Sequence, residues 1–344
     1  MKLLIRTDAT NTRMPMVAPV RSAIASWLSI PETEATFERR GFSSSSAQAR
    51  ERLEKIGTVF LSGFNCALRV QHVDTLATDA ATTPSEMSGF FFEGAAMAFA
   101  LLDSITPWHG RRFEDLLRGP GRIHKYMLHV GAGWALARIP VRWNRFLARF
   151  DPLLRWLVID GFGFHEGYFH WSRYVEKNNP PPRSLNSAAF AVFDQGLGRS
   201  LWFVCGADIN RIRSTISGFS RERRSHLWSG VGLASAYAGG IDHEGFKWLK
   251  ESCSPYESSV ELGVAFAAKA REFAGNQTAH TEIASQVICG MAATMAARLT
   301  DETLTQVADC NENERYQLWR AKLKEYFCTK AGRTGRSECS EVGG

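Results

Sequence analysis

The chain is poor in the features that usually announce a chemistry. Its seven cysteines (Cys66, Cys205, Cys253, Cys289, Cys310, Cys328 and Cys339) are odd in number, widely spaced and without a C-x-x-C pair, which excludes a disulfide framework. Several lie in apolar runs such as Trp202-Phe203-Val204-Cys205, as reduced intracellular cysteines do. Strict two-residue alternation is absent, so half-buried strands are not expected. No uninterrupted apolar run approaches the roughly 18 residues of a membrane span. The apolar start, Met1 to Arg6, is too short for a signal peptide. These absences together predict a soluble cytoplasmic protein with no membrane span.

Charge of one sign is also scarce. A formal charge of +6 over 344 residues is mild. The basic residues are scattered apart from Arg221, Arg223 and Arg224 on one turn, a pattern of a solvated helix start. A nucleic-acid binder would carry a basic stripe with interleaved aromatics, so no nucleic acid is expected as a partner. There is no G-x-S-x-G elbow, no Walker loop and no D-D-x-x-D run, and no Gly-x-Gly extends to G-x-G-x-x-G after a strand. The segment His165-Glu166-Gly167-Tyr168-Phe169-His170 approaches the zinc-binding H-E-x-x-H but places its second histidine five residues on. On a helix of 3.6 residues per turn that is a rotation of about 140° from the first, so no metal is expected there.

Glycine, by contrast, is abundant and rhythmic. Gly63, Gly94, Gly131, Gly167, Gly196, Gly230, Gly263 and Gly290 recur at 27 to 37 residues, most with a small side chain four positions later. About 34 residues is the length of a helix, a turn and a second helix. Residues four apart share a helix face, and a stripe of glycine and alanine lets a neighbouring backbone come close. The expected fold is therefore all-α, either a stacked helical-pair (tetratricopeptide-like) array or an irregular helical bundle. Long helices are expected near 87–104, 123–139, 152–168, 187–205, 221–238, 255–273 and 281–299, each backed by a shorter one. The organisation reads as an irregular N-terminal arm (1–46), a single all-helical domain (47–328) and a disordered tail (329–344).

Polar residues just ahead of the anchors form two phases. Glu93, Glu166, Gln195 and Ser229 occupy one, and His129, His165, Asp194 and Trp228 the other. In a stacked array such phases become rows, one of which faces the concave side. Such residues either satisfy one another between repeats or line a pocket with acid-base capacity. On the second reading Glu93, His129, His165, Glu166, Asp194 and Arg199 project into one shared cavity as candidate catalytic groups. Trp134, Trp202, Trp228 and Tyr237 are candidates to wall a groove for a long apolar or polyene ligand.

Five segments resemble the signature blocks of the bacterial enediyne biosynthesis protein family, a domain of unknown function encoded beside enediyne polyketide synthases. They are Phe92-Glu93-Gly94-Ala95-Ala96-Met97-Ala98, His129-Val130-Gly131-Ala132-Gly133-Trp134-Ala135, 160–169, 194–202 and Leu227-Trp228-Ser229-Gly230-Val231-Gly232-Leu233-Ala234. The resemblance covers roughly 35–299. It implies an accessory protein of enediyne-type polyketide biosynthesis that acts on or holds a polyene intermediate, with a polyketide synthase or other pathway proteins as partners. It supplies no catalytic residue and no cofactor. The alternative is a non-catalytic helical scaffold that binds a synthase.

Overall fold

The protein is described by a computed structural model over residues 18–70, 72–106, 110–140, 142–182 and 185–332. It is all-α, and the described residues contain no strand. The long helices, numbered here in chain order, are α1 (Ala47–Arg69), α2 (Ser88–Ile105), α3 (Lys125–Leu136), α4 (Arg155–Phe169), α5 (Ser187–Val204), α6 (Arg221–Ala238), α7 (Glu257–Ala274), α8 (Ala293–Thr305) and α9 (Glu312–Lys330). Polar side chains start several of them. Ser46 and Asn186 accept the free amides of Ala49 and Ala189 at the first turns of α1 and α5.

Each of α1 to α8 packs on the next, forming a row. Neighbours run parallel: Arg52 near the start of α1 meets Glu86 just ahead of α2, and Gly63, further along, faces Phe91. In α4 and α5, Asp160 meets Gln195 and Gly167 meets Ser200 in the same sense. Parallel neighbours need a return path, and short helices such as Arg112–Arg118, Ile209–Ser217 and His243–Ser252 lie between them in the chain. The row does not leave an open concave groove of the expected kind. It bends back on itself, because Arg52 of α1 donates to the Ala238 carbonyl at the end of α6. Arg271 of α7 donates to the carbonyls of Glu86, before α2, and of Tyr237.

Glycine sets the spacing of the row. In α3, α4, α5 and α6 the first glycine of a Gly-x-Gly lies against the backbone of the preceding helix and the second against the following one. Thus Gly131 faces Glu93 and Gly133 faces Val158; Gly161 faces Val130 and Gly163 faces Phe193. The pattern continues with Gly196 on Asp160, Gly198 on Leu227, Gly230 on Gln195 and Gly232 on Val260. At each of these positions a Cβ would overlap a carbonyl oxygen of the neighbour. Two residues apart on a helix is a rotation of about 200°, which is what a helix clasped on both sides requires. The Gly-x-Gly repetition is therefore packing.

Several expectations change. Gly290 has φ +64 and ends the turn Ser285–Cys289, so it is a helix stop and not a packing anchor. The helix expected over 281–299 is accordingly broken there. Within the expected irregular arm, Ala18–Leu28 is an α-helix, and Ala35, Phe37 and Phe42 are buried in the common core. Five cysteines are free, but Cys328 is disulfide-bonded, contrary to the reduced state expected for all of them. Residues 1–17 and 333–344, which hold most of the expected arm's start and tail, lie outside the described residues. Among the described residues one unbroken helix, Ser85–Ile105, is long and apolar enough to cross a membrane by length and composition, and its most apolar stretch is mostly buried inside the protein.

The contact makes a direct prediction. Gly196→Ala should lower unfolding stability by about 1–3 kcal/mol or more, because its methyl group meets a backbone carbonyl that cannot turn away. Gly218→Ala, whose nearest neighbours stand 3.4 and 3.5 Å from the added carbon, should be neutral or slightly stabilising. Urea denaturation of the two variants checks this, and equal losses would contradict it.

Candidate functional site

The residues that meet inside the row are those one before and three after the first glycine of each pair. These positions are four apart and share one helix face. The first set gives Glu93 on α2, Asp160 on α4, Gln195 on α5 and Ser229 on α6. The last three touch in sequence: Gln195 Nε2 donates to Asp160 Oδ2 at 2.8 Å, and Ser229 Oγ donates to Gln195 Oε1 at 3.3 Å. On α3 the same position is the apolar Val130, between Glu93 and Asp160. The second set gives Trp134, Phe164 and Arg199. Trp134 packs edge-on against Phe164 with ring centroids 5.0 Å apart, and the Arg199 guanidinium lies 4.8 Å over the same Phe164 ring.

Charge is concentrated where the two sets cross. Arg199 Nη1 donates to Asp160 Oδ1 in an ion pair, with both residues buried. Burial works against the guanidinium, but the attraction of Asp160, and of Glu93 once that group ionises, outweighs it. Glu93 is only 1% exposed. Burial pushes its carboxyl up to about 8, with Arg199 pulling the other way and Asp160 adding to the rise, so Glu93 is protonated at neutral pH. Its Oε1 and the Trp134 Nε1–H complete no hydrogen bond of normal geometry, although the indole N–H stands close enough to the carboxyl to pull its proton affinity down a little.

Two apolar cavities border this cluster. One, a narrow cavity of about 50 Å³, has Asp160, Arg199, Tyr237, Leu233, Phe266 and Tyr316 among its walls. The other, about 40 Å³, includes Glu93, Phe60, Phe90, Trp134, Phe164 and Tyr168. The hydroxyls of Tyr237 and Tyr316 and the Arg199 Nε on the first cavity, like Glu93 Oε1 and Trp134 Nε1 on the second, are buried without a hydrogen-bond partner. A few polar atoms set in aromatic walls are the usual make-up of a small-molecule site, and buried unpaired polar groups call for an explanation of that kind.

The six candidate acid-base residues do not all meet. Glu93 and Arg199 come together. His165 lies nearby against Trp134, with ring centroids 5.6 Å apart, but its Nδ1 is turned to Glu166. His129 and Asp194 sit one residue earlier in phase, a rotation of about 100° that takes them off the inner face. His129 Nδ1 meets the Lys125 carbonyl at 2.7 Å among Phe113 and Phe150, and burial pushes it down to about 4. Asp194 receives both arms of Arg223, at 2.6 and 2.9 Å. Glu166 lies between His165 and His170, and their attraction holds it below the usual carboxylate range although burial alone would raise it. The single shared cavity expected for the six is thus corrected to a Glu93–Asp160–Arg199 cluster. Of the aromatic candidates, Trp134 and Tyr237 line the cavities. Trp202 is fully buried with its Nε1–H on the Gly239 carbonyl, and Trp228 is buried and lines neither.

Asp160 was missed because Gly167 was taken as the anchor of α4. Gly161 is the glycine that meets α3, and Gly167 faces Ser200 of α5. Anchoring at Gly161 places Asp160 in register with Glu93, Gln195 and Ser229. The spacing argument against a metal weighed only the two histidines. Glu166 and His170 are four apart, so they share a helix face at the end of α4, and the His170 ring stands 3.3 Å from the Glu166 carboxylate.

Fold and site define an all-helical protein that carries a buried carboxyl and ion pair against aromatic cavities. Residues 19–327 match the DUF1702 family, described as proteins of unknown function, and the chain belongs to that family. No curated protein and no solved structure matches the chain.

Glu93 holds its proton more tightly in the folded chain (about 8) than at its ordinary value of 4.5. The resulting stability is fully present below about 4.5 and is lost as pH rises to about 8, at up to roughly 1.4 kcal/mol per pH unit. Glu93→Gln keeps the neutral shape and cannot ionise. Denaturation from about pH 5 to about pH 9 should show the parent losing stability relative to this variant, and parallel profiles would contradict a buried neutral Glu93.

Proposed function

We propose that the narrow cavities beside Glu93, Asp160 and Arg199 widen to admit part of a conjugated apolar ligand, and that Glu93 exchanges a proton with it. The observation that carries this reading is the protonated Glu93 carboxyl with an unpartnered oxygen in an aromatic wall. A general acid works best when its proton affinity lies near the operating pH. The proton would pass from the Glu93 carboxyl to the ligand, and the carboxylate left behind is stabilised by Arg199, whose charge already acts on it. The Glu93 carboxylate can then remove a proton from a different carbon of the protonated ligand, so the double bonds shift, Glu93 is protonated again and the net result is an isomerisation without any added oxidant.

The resemblance of the glycine-rich segments to proteins encoded beside enediyne polyketide synthases supports a polyene as that ligand, delivered by a polyketide synthase or another pathway protein. A scaffold alone gives no reason for a carboxyl, a guanidinium and two tyrosine hydroxyls buried without full pairing.

Mass spectrometry of material extracted from the purified protein, after co-expression with the polyene-forming synthase, should find a conjugated ligand at near one equivalent. Glu93→Gln should still bind it and leave it unconverted, with product formation reduced by about 10²-fold or more. Binding of no apolar ligand, or undiminished conversion by Glu93→Gln, would contradict the proposal.

A further inference from the structure

The end of α4 carries a second constellation, outside the Glu93 cluster and independent of how that cluster is read. We propose that His165, Glu166 and His170 bind one divalent first-row transition ion, zinc or ferrous iron. Their donor atoms all lie within 4.8 Å of one another. His165 Nδ1 is 3.1 Å and His170 Nδ1 3.3 Å from the Glu166 carboxylate. Donors about 2.0–2.2 Å from a tetrahedral ion stand roughly 3.3–3.5 Å apart, so both imidazole–carboxylate edges already fit. Two imidazoles and one carboxylate are the donor set of catalytic zinc and of non-haem ferrous sites, and they leave coordination positions open.

The support around the three ligands is uneven in a useful way. His165 and Glu166 are buried, and the His165 ring is fixed by Trp134 and by Phe169, whose centroid is 4.8 Å away. Tyr174, from the turn Ser172–Glu176, stands beside Glu166, as an outer partner that orients a ligating carboxylate does. The His170 side chain is 52% exposed, so it can turn inward to shorten the histidine–histidine edge and it leaves an entry path from solvent. Without the ion each Nδ1–H can donate to Glu166. With it, each imidazole carries its proton on Nε2 and offers the Nδ1 lone pair. Trp134 and Phe169, against which His165 packs, also line the smaller cavity. The open coordination positions therefore lie close to the wall behind which Glu93 sits.

The test uses tag-free protein freed of metal by a chelator and titrated with Co²⁺, whose visible spectrum reports low-coordinate binding, followed by competition with Zn²⁺ and anaerobic Fe²⁺. One equivalent should bind, and the ion that displaces cobalt at the lower concentration identifies the preferred metal. Outer-sphere partners alone are worth about 10–100-fold in affinity, so losing a ligand should weaken binding at least that much. His170→Ala is the primary variant because its half-exposed side chain can be removed without opening the core; Glu166→Gln is the second, and His243→Ala, an exposed histidine beside Glu244, is the control. Tenfold or greater weakening in His170→Ala with unchanged circular dichroism, and parent-like binding in His243→Ala, is the expected result. Absence of stoichiometric cobalt uptake, or parent-like affinity in His170→Ala and Glu166→Gln, overturns the site.

Discussion

Backbone contact between parallel helices is the constraint on which the rest of this structure depends. Side chains normally hold helix axes 8–10 Å apart; here paired glycines remove the side chain on both flanks of α3, α4, α5 and α6, so that backbone meets backbone. Each glycine costs about 1 kcal/mol of helix propensity relative to alanine. The cost is offset by close packing along the whole row, and by what the glycines leave for the remaining faces. With both flanks given over to neighbours, the helix has an inner and an outer face only. Everything polar on the inner face is forced to meet its counterparts on the adjacent helices.

That forced meeting explains the cluster. Glu93, Asp160, Gln195 and Ser229 lie in one row and Trp134, Phe164 and Arg199 in the next, because each set holds a fixed offset from its glycine. A single guanidinium faces two carboxyl groups there. Asp160 takes the ion pair with Arg199, and Glu93, buried without such a partner, keeps its proton. A buried carboxyl whose proton affinity is raised toward neutrality is suited to acid-base work. The return of α6 and α7 onto α1 and the segment before α2 shuts this interior away from an open groove, which keeps the local dielectric low and the Glu93 proton in place.

Much of this was legible in the sequence, and the failures have physical causes. Glycine at helical-hairpin intervals announces an all-helical fold, and Gly63, Gly94, Gly131, Gly196, Gly230 and Gly263 are sound anchors because each lies against the backbone of a neighbouring helix. Gly167 and Gly290 are not. The first meets a serine side chain on the next helix, and the second ends a turn with positive φ, a distinction that spacing alone does not carry. Anchoring on Gly167 drew attention to Glu166 and hid Asp160. His129 and Asp194 were placed inside although one residue of phase turns them outward, to the Lys125 carbonyl and to Arg223. The His170–Glu166 contact follows from their i,i+4 spacing, which a comparison of the two histidines alone passes over.

The central claim is that Glu93 is a neutral acid at physiological pH inside the row. Difference infrared spectroscopy of the parent against Glu93→Gln, with the pH stepped through neutrality, reads that proton directly from the carboxylic C=O stretch. A protonated carboxylic band that is absent from the variant, persists at neutral pH and titrates near 8 is the predicted result. A parent spectrum with only carboxylate at neutral pH would contradict it.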